Sequence, residues 1–132
     1  MIKSIKVTIP VVFFIYNRPD KIKKMLDAVS QIFFSKIYVV QDGPKKENLN
    51  DKDKIKASRE LILDNFIYEK VILITSDFNL GLATRIQTGI DQVFKNEDMF
   101  GIEPTFNNIY LMFFGGILNT IIGLAVQKFK KK

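Results

Sequence analysis

The stretch Val11-Val12-Phe13-Phe14-Ile15-Tyr16-Asn17-Arg18-Pro19 decides how the chain is read. Apolar and aromatic residues run unbroken to Ile15 and stop at a polar triplet, and Asp20 follows the proline. A run of this kind, rich in β-branched and aromatic side chains, predicts a strand buried on both faces. Pro19 cannot extend that strand but suits the first turn of a helix, and Asp20 suits the positive end of the helix dipole. Tyr16, Asn17 and Arg18 are thereby placed at the carboxyl end of a buried strand, just before a helix. In open α/β sheets that is where ligands bind.

The first strand is expected over residues 6–15, irregular at Pro10. From 20 to 33, Ile22, Met25, Leu26, Val29 and Ile32 recur at three- and four-residue spacing, one face of a helix. Lys36 to Gln41 reads as a second short strand ending at Asp42-Gly43-Pro44, and strand, helix, strand implies a parallel pair with a right-handed crossover. After a polar stretch at 45–56, Ile55, Leu61, Ile62 and Phe66 indicate a second helix. Lys70 to Thr75 is a third strand, and Leu82, Ile86, Ile90, Val93 and Phe94 give a third helical face. This β-α alternation predicts an α/β fold, a Rossmann-like parallel sheet with helices between its strands.

After Asn96 the character changes. Residues 109–126 are apolar except for Asn119 and Thr120, contain Gly115, Gly116 and Gly123, and precede a basic tail at 128–132. The expectation is a hydrophobic C-terminal helix, at the lower edge of membrane-spanning length, able to contact a membrane or lie in its interface. The division expected is therefore 1–98 as the β-α region and 99–132 as a hydrophobic segment with a basic tail. A buried helix of the same fold is the alternative.

Composition narrows the chemistry. The 132 residues fit one domain, and 47% hydrophobic against 26% charged is globular. No cysteine means no disulfide or thiolate metal site. No histidine means no imidazole base, Ser-His-Asp hydrolysis or histidine-bound zinc. Any metal would take oxygen ligands, which favours Mg²⁺ or Mn²⁺. The net charge of +6 is spread over scattered lysines without interleaved aromatics, so no nucleic-acid partner is expected. No long apolar core or small-residue cleavage site marks the first residues as a signal peptide, and a cytoplasmic location, or the cytoplasmic face of a membrane, is expected.

Three parallel strand ends bring their loops together. They offer Tyr16, Asn17 and Arg18, then Asp42 and Gly43, then Asp77, Asn79 and Gly81, with Arg85 on the following helix. An aromatic ring can stack on a base, a carboxylate can accept from a base N–H or a ribose hydroxyl, and arginine can meet phosphate. Each loop also has a plain reading: Asp42-Gly43-Pro44 as a turn, Asn79 and Gly81 as a cap and a flexible joint. Neither G-x-G-x-x-G nor G-K-[ST] is present, which excludes a dinucleotide fingerprint and a Walker loop.

F-I-Y-N-R-P-D, then V-V-Q-D-G-P, then S-D-F-N-L-G-L-A-T-R-I-Q-T-G-I, in that order, resemble the signatures of a GT-A fold, family-2-like glycosyltransferase. The resemblance covers roughly residues 5–96 and implies that 1–98 is a GT-A-like nucleotide-sugar-binding region. It implies a nucleotide-diphosphate sugar as substrate, such as a UDP-sugar, with transfer to an acceptor hydroxyl. Tyr16, Asn17 and Arg18 would line the base pocket. Asp42, beside Gly43, would contact uracil or ribose, and Asn79, Gly81 and Arg85 would shape the nucleotide side of the cleft. In such enzymes an apolar strand ending in D-x-D or E-D-D holds Mg²⁺ or Mn²⁺ against the departing diphosphate. Here Glu97 and Asp98 come directly off a helix, as a stand-in for that pair or as a solvated helix end. The acceptor region and a base carboxylate have no counterpart, so a shortened chain with only the donor half is expected. A non-catalytic nucleotide-binding or membrane-associated module is the alternative. A flavodoxin-like or receiver-type domain is a third, and it fits less well because receivers need acidic residues where this chain has Tyr16-Asn17-Arg18.

Overall fold

The computed structural model describes residues 4–48, 50–98, 106–113 and 123–129, with side chains through residue 97. The chain is α/β, with parallel strands and, among the described residues, three helices. In order these are β1 (Ile5–Val7), β2 (Val11–Ile15), α1 (Pro19–Ala28), β3 (Ile32–Phe34), β4 (Lys36–Gln41), α2 (Asp51–Asn65), β5 (Lys70–Thr75), α3 (Leu82–Asp98), β6 (Phe106–Phe113) and β7 (Gly123–Phe129).

β2 lies in the middle of a five-stranded sheet ordered β5-β4-β2-β6-β7. All its residues are buried, as expected for a strand with neighbours on both edges and helices on both faces. Alternation divides it between two cores. Val11, Phe13 and Ile15 join Ile22, Met25, Val29, Ile37, Val39, Ile62 and Phe66, which brings α1 and α2 to one face. Val12 and Phe14 join Tyr38, Val40, Ile74, Val93 and Phe94, which brings α3 to the other. In the first core Phe13 meets Phe34 edge-on at 5.5 Å and Phe66 at 5.6 Å. Each such ring pair contributes roughly 0.5–1.5 kcal/mol beyond the area it buries.

Strand order puts a reversal of winding at β2. The chain moves outward from β2 to β4 to β5, then α3 returns it across the sheet to β6 on the other side of β2. Val11 pairs in parallel with both Ile37 and Tyr110. The direction of winding therefore reverses between β2 and β6, and the crevice at such a switch point opens at the carboxyl ends of the strands.

Three features differ from the sequence expectation. The first strand is split at Pro10. Ile5–Val7 leaves the main sheet and pairs in parallel with Ile32–Phe34, because proline lacks the N–H a continuous ladder needs. The second difference is that α1 stops at Ala28 instead of reaching Phe33. Ile32, Phe33 and Phe34 are β-formers with a strand to pair with, and tertiary pairing overrides the helical spacing. The third difference is at the C-terminal end, where strands stand in place of the expected hydrophobic helix. Phe106–Phe113 adds to β2 in parallel, and Gly123–Phe129 pairs with it antiparallel. Residues 114–122, the middle of that expectation, lie outside the described residues. A short apolar run rich in Ile, Tyr and Phe has no periodicity to separate buried strand from buried helix. Among the described residues no helix is long and apolar enough to cross a membrane.

Candidate functional site at the carboxyl edge

Tyr16, Asn17 and Arg18 emerge from β2, Asp42 and Gly43 from β4, and Ser76 to Gly81 from β5. Asp42 ties these loops together. Its Oδ1 accepts from the Gly43 amide (2.9 Å), the Ser76 hydroxyl (3.1 Å) and the Leu80 amide (2.8 Å), and Oδ2 accepts from the Gly81 amide (3.0 Å). The carboxylate is thus a clasp between the β4 loop and the start of α3, where its charge also meets the positive helix end. These four donors engage both oxygens of Asp42, the residue expected to contact a base or ribose.

Gly43 and Gly81 have separate reasons to be glycine. A β-carbon on Gly43 would lie 2.6–2.7 Å from the backbone of Phe78, so the two loops pass in direct contact. Gly81 has open space around it but a φ of +89°, which side chains rarely adopt. The Asn79 amide donates to the Gly43 carbonyl (2.9 Å) and to the Tyr16 hydroxyl (3.3 Å), joining all three loops. Burial, then the nearby Asp51 and Asp42 carboxylates, raise the Tyr16 phenol above its ordinary range.

Asn17 and Arg18 diverge. Asn17 donates to Asp51 Oδ1 at 3.1 Å, and Asp51, the first residue of α2, is buried. Arg18 turns outward and forms a two-pronged contact with Asp20, Nε to Oδ1 at 3.2 Å and Nη2 to Oδ2 at 3.1 Å. That pairing pulls the exposed Asp20 carboxyl down to about 2. Arg18 stands at the rim, occupied by its own helix.

Arg85 is the unusual member. It lies in the first turns of α3 and is only 8% exposed. Its Nη2 donates to Thr88 Oγ1 at 3.2 Å, while Nε is sealed from solvent with no acceptor. Among the described residues it has no carboxylate partner. A buried guanidinium in that condition is costly, and buried charges in proteins are ordinarily paired.

Glu97 lies elsewhere. α3 runs back to the amino edge of the sheet, where Glu97 Oε2 accepts from Lys36 Nζ at 2.9 Å and from the Tyr38 hydroxyl. Asn96 also donates to Tyr38, and burial followed by the Glu97 hydrogen bond pushes that phenol strongly upward. Glu97 therefore locks α3 onto β4 at the end remote from Tyr16 and Asp42. The Asp98 side chain lies outside the described residues. Among those described, no group of three acidic residues that could hold a metal ion occurs.

Two residues were missed from sequence. Gln41, fully buried, donates to the Tyr16 and Ile55 carbonyls at 2.8 Å each and accepts from Arg59 Nε at 2.9 Å. The available signal was alternation, which puts residue 41 on the same inward face as Ile37 and Val39. Asp51 gave only the weaker signal of an acid in a polar stretch preceding a helix. Comparisons with models of known protein families, with curated protein sequences and with solved structures find no match.

Proposed function

We propose that the carboxyl edge binds a nucleotide-diphosphate sugar such as a UDP-sugar, in the manner of the donor half of a Rossmann-like, GT-A glycosyltransferase. The observation that carries this reading is Arg85, a nearly buried cation at the start of α3, next to the loop that Asp42 clasps and without a carboxylate partner among the described residues. A diphosphate is an anion able to satisfy it, and arginine suits phosphate oxygens geometrically. Tyr16 offers a ring for the base at the switch point, and Asn79 fixes the Tyr16 hydroxyl. The strand order supports the same reading.

Sugar transfer in such enzymes draws on a divalent ion, Mg²⁺ or Mn²⁺, that neutralises the departing diphosphate. Among the described residues none fits that role. Glu97 is engaged with Lys36 and Tyr38, and the residues after β6, 114–122, include neither aspartate nor glutamate. We therefore derive no metal-supported step. These observations favour the second reading, nucleotide binding without catalysis, over transfer to an acceptor. Titrating the chain with UDP and a UDP-sugar, with and without Mn²⁺, tests both. Saturable binding indifferent to Mn²⁺ is expected. No binding at millimolar nucleotide removes the proposal, and binding that requires Mn²⁺ restores the catalytic reading.

A further inference from the structure

Two buried carboxylates stand at the carboxyl edge, Asp42 at 8% exposure and Asp51 at 6%, and their surroundings differ. Both oxygens of Asp42 are committed to the protein's own donors, three backbone amides and the Ser76 hydroxyl. Asp51 has one committed oxygen, Oδ1, which accepts from Asn17. Its Oδ2 has no hydrogen-bond partner among the described residues. It is also not among the described side-chain atoms that are sealed from solvent without a partner. It is therefore an open acceptor in a nearly buried residue.

Helix capping does not account for this placement. The start of α2 carries no side-chain capping hydrogen bond, and the exposed Asp53 supplies negative charge in the same turn without being desolvated. Burying a carboxylate with one free oxygen is unfavourable unless a donor arrives. Asn17 fixes the side chain from the loop that also carries Tyr16.

Building on the nucleotide reading, we infer that Asp51 is the carboxylate that meets the nucleoside, its Oδ2 accepting from a ribose hydroxyl or a ring N–H, while Asp42 holds the loops in place. The chain then prefers nucleosides that present such a donor beside Tyr16. Carboxylate-to-donor bonds of this kind, when lost, weaken binding by about 10- to 100-fold.

The test is calorimetric titration of the wild-type chain, D51N and D42N with UDP, 2′,3′-dideoxyuridine diphosphate and 3-methyluridine diphosphate. D51N keeps an oxygen for Asn17 but replaces the open acceptor with an NH₂ donor. UDP affinity should fall about 10- to 100-fold in D51N, with a melting temperature close to wild type. D42N should lose melting temperature. One analogue should bind the wild type as weakly as UDP binds D51N, and be indifferent to D51N. The dideoxy analogue doing so identifies the ribose, and the methylated one identifies the base. Unchanged UDP affinity in D51N overturns the role of Asp51 while leaving the nucleotide site standing. If D51N does not fold, the wild type decides: equal affinity for UDP and both analogues overturns the inference. No UDP binding by the wild type removes the nucleotide reading, and this inference with it.

Discussion

Replacing Asp42 with alanine should cost stability first and binding second. The carboxylate serves four donors, but they are not equally exposed to its loss. The Gly43 amide keeps a second acceptor in Ser76 Oγ at 3.2 Å, and the Ser76 hydroxyl can rotate. The Leu80 and Gly81 amides have no such alternative. Orphaning a partly buried donor costs about 1–2 kcal/mol, so the pair accounts for roughly 2–4 kcal/mol. Removing a negative charge from the start of α3 adds about 0.5–1 kcal/mol. The expected loss for D42A is therefore about 2.5–5 kcal/mol, a large share of the ~5–15 kcal/mol that holds a domain together. In a chain of this size that is a fall in melting temperature of roughly 10–20 °C. D42N retains an oxygen for Leu80 and Ser76 but turns an NH₂ toward the Gly81 amide, and should lose about half as much. Urea unfolding followed by circular dichroism measures both, with the midpoint lowered and the slope unchanged. Amide exchange at Leu80, Gly81 and Arg85 should quicken. A loss below about 1 kcal/mol in D42A would refute the clasp, since the two orphaned amides alone exceed it.

Gly43→Ala drives a β-carbon into the Phe78 backbone and should cost about 2–4 kcal/mol in urea unfolding. Gly81→Ala meets no atoms but strains a φ of +89°, and should cost less, about 1–2 kcal/mol. In an ultraviolet titration Tyr16 and Tyr38 should ionise above the ordinary tyrosine range. Because both phenols are raised above the ordinary value of 10.0, their contribution to stability is present below pH 10 and is lost as pH climbs through their folded values. Asp20 has the opposite sign. Its carboxyl, lowered from 3.8 to about 2, contributes above pH 4 and loses that contribution between there and pH 2, so D20N and wild type should converge in melting temperature at acid pH.

The fold was legible where burial left a pattern. β2, β4 and β5 are continuous apolar runs bounded by polar loops, and α3 keeps one apolar face from Ile86 to Phe94. Reading failed where pairing partners decide conformation. Ile32 carries helical spacing yet becomes a strand because Ile5 lies opposite, and residues 106–113 become a strand beside β2 because a parallel edge was open there. At the site, the residues brought together were legible from the strand ends, but their roles were not. Nothing in Asp42-Gly43-Pro44 tells that four donors from three residues of a later loop and one neighbour converge on that carboxylate. Nor does a helical spacing disclose that Glu97 returns to Lys36 at the far edge. Those roles depend on contacts across more than thirty residues of sequence, which no local pattern encodes.

The proposed nucleotide pocket, with an anion-seeking cation at its edge, is tested most directly at Arg85. The measurement is the affinity for UDP of the wild-type chain and of Arg85→Met, which keeps the buried stem and removes the charge. Saturable binding by the wild type, weakened about 10-fold or more in the variant, with stability unchanged or increased, is the predicted result. Equal affinity in the two proteins, or a variant that binds as well and merely unfolds sooner, would contradict it.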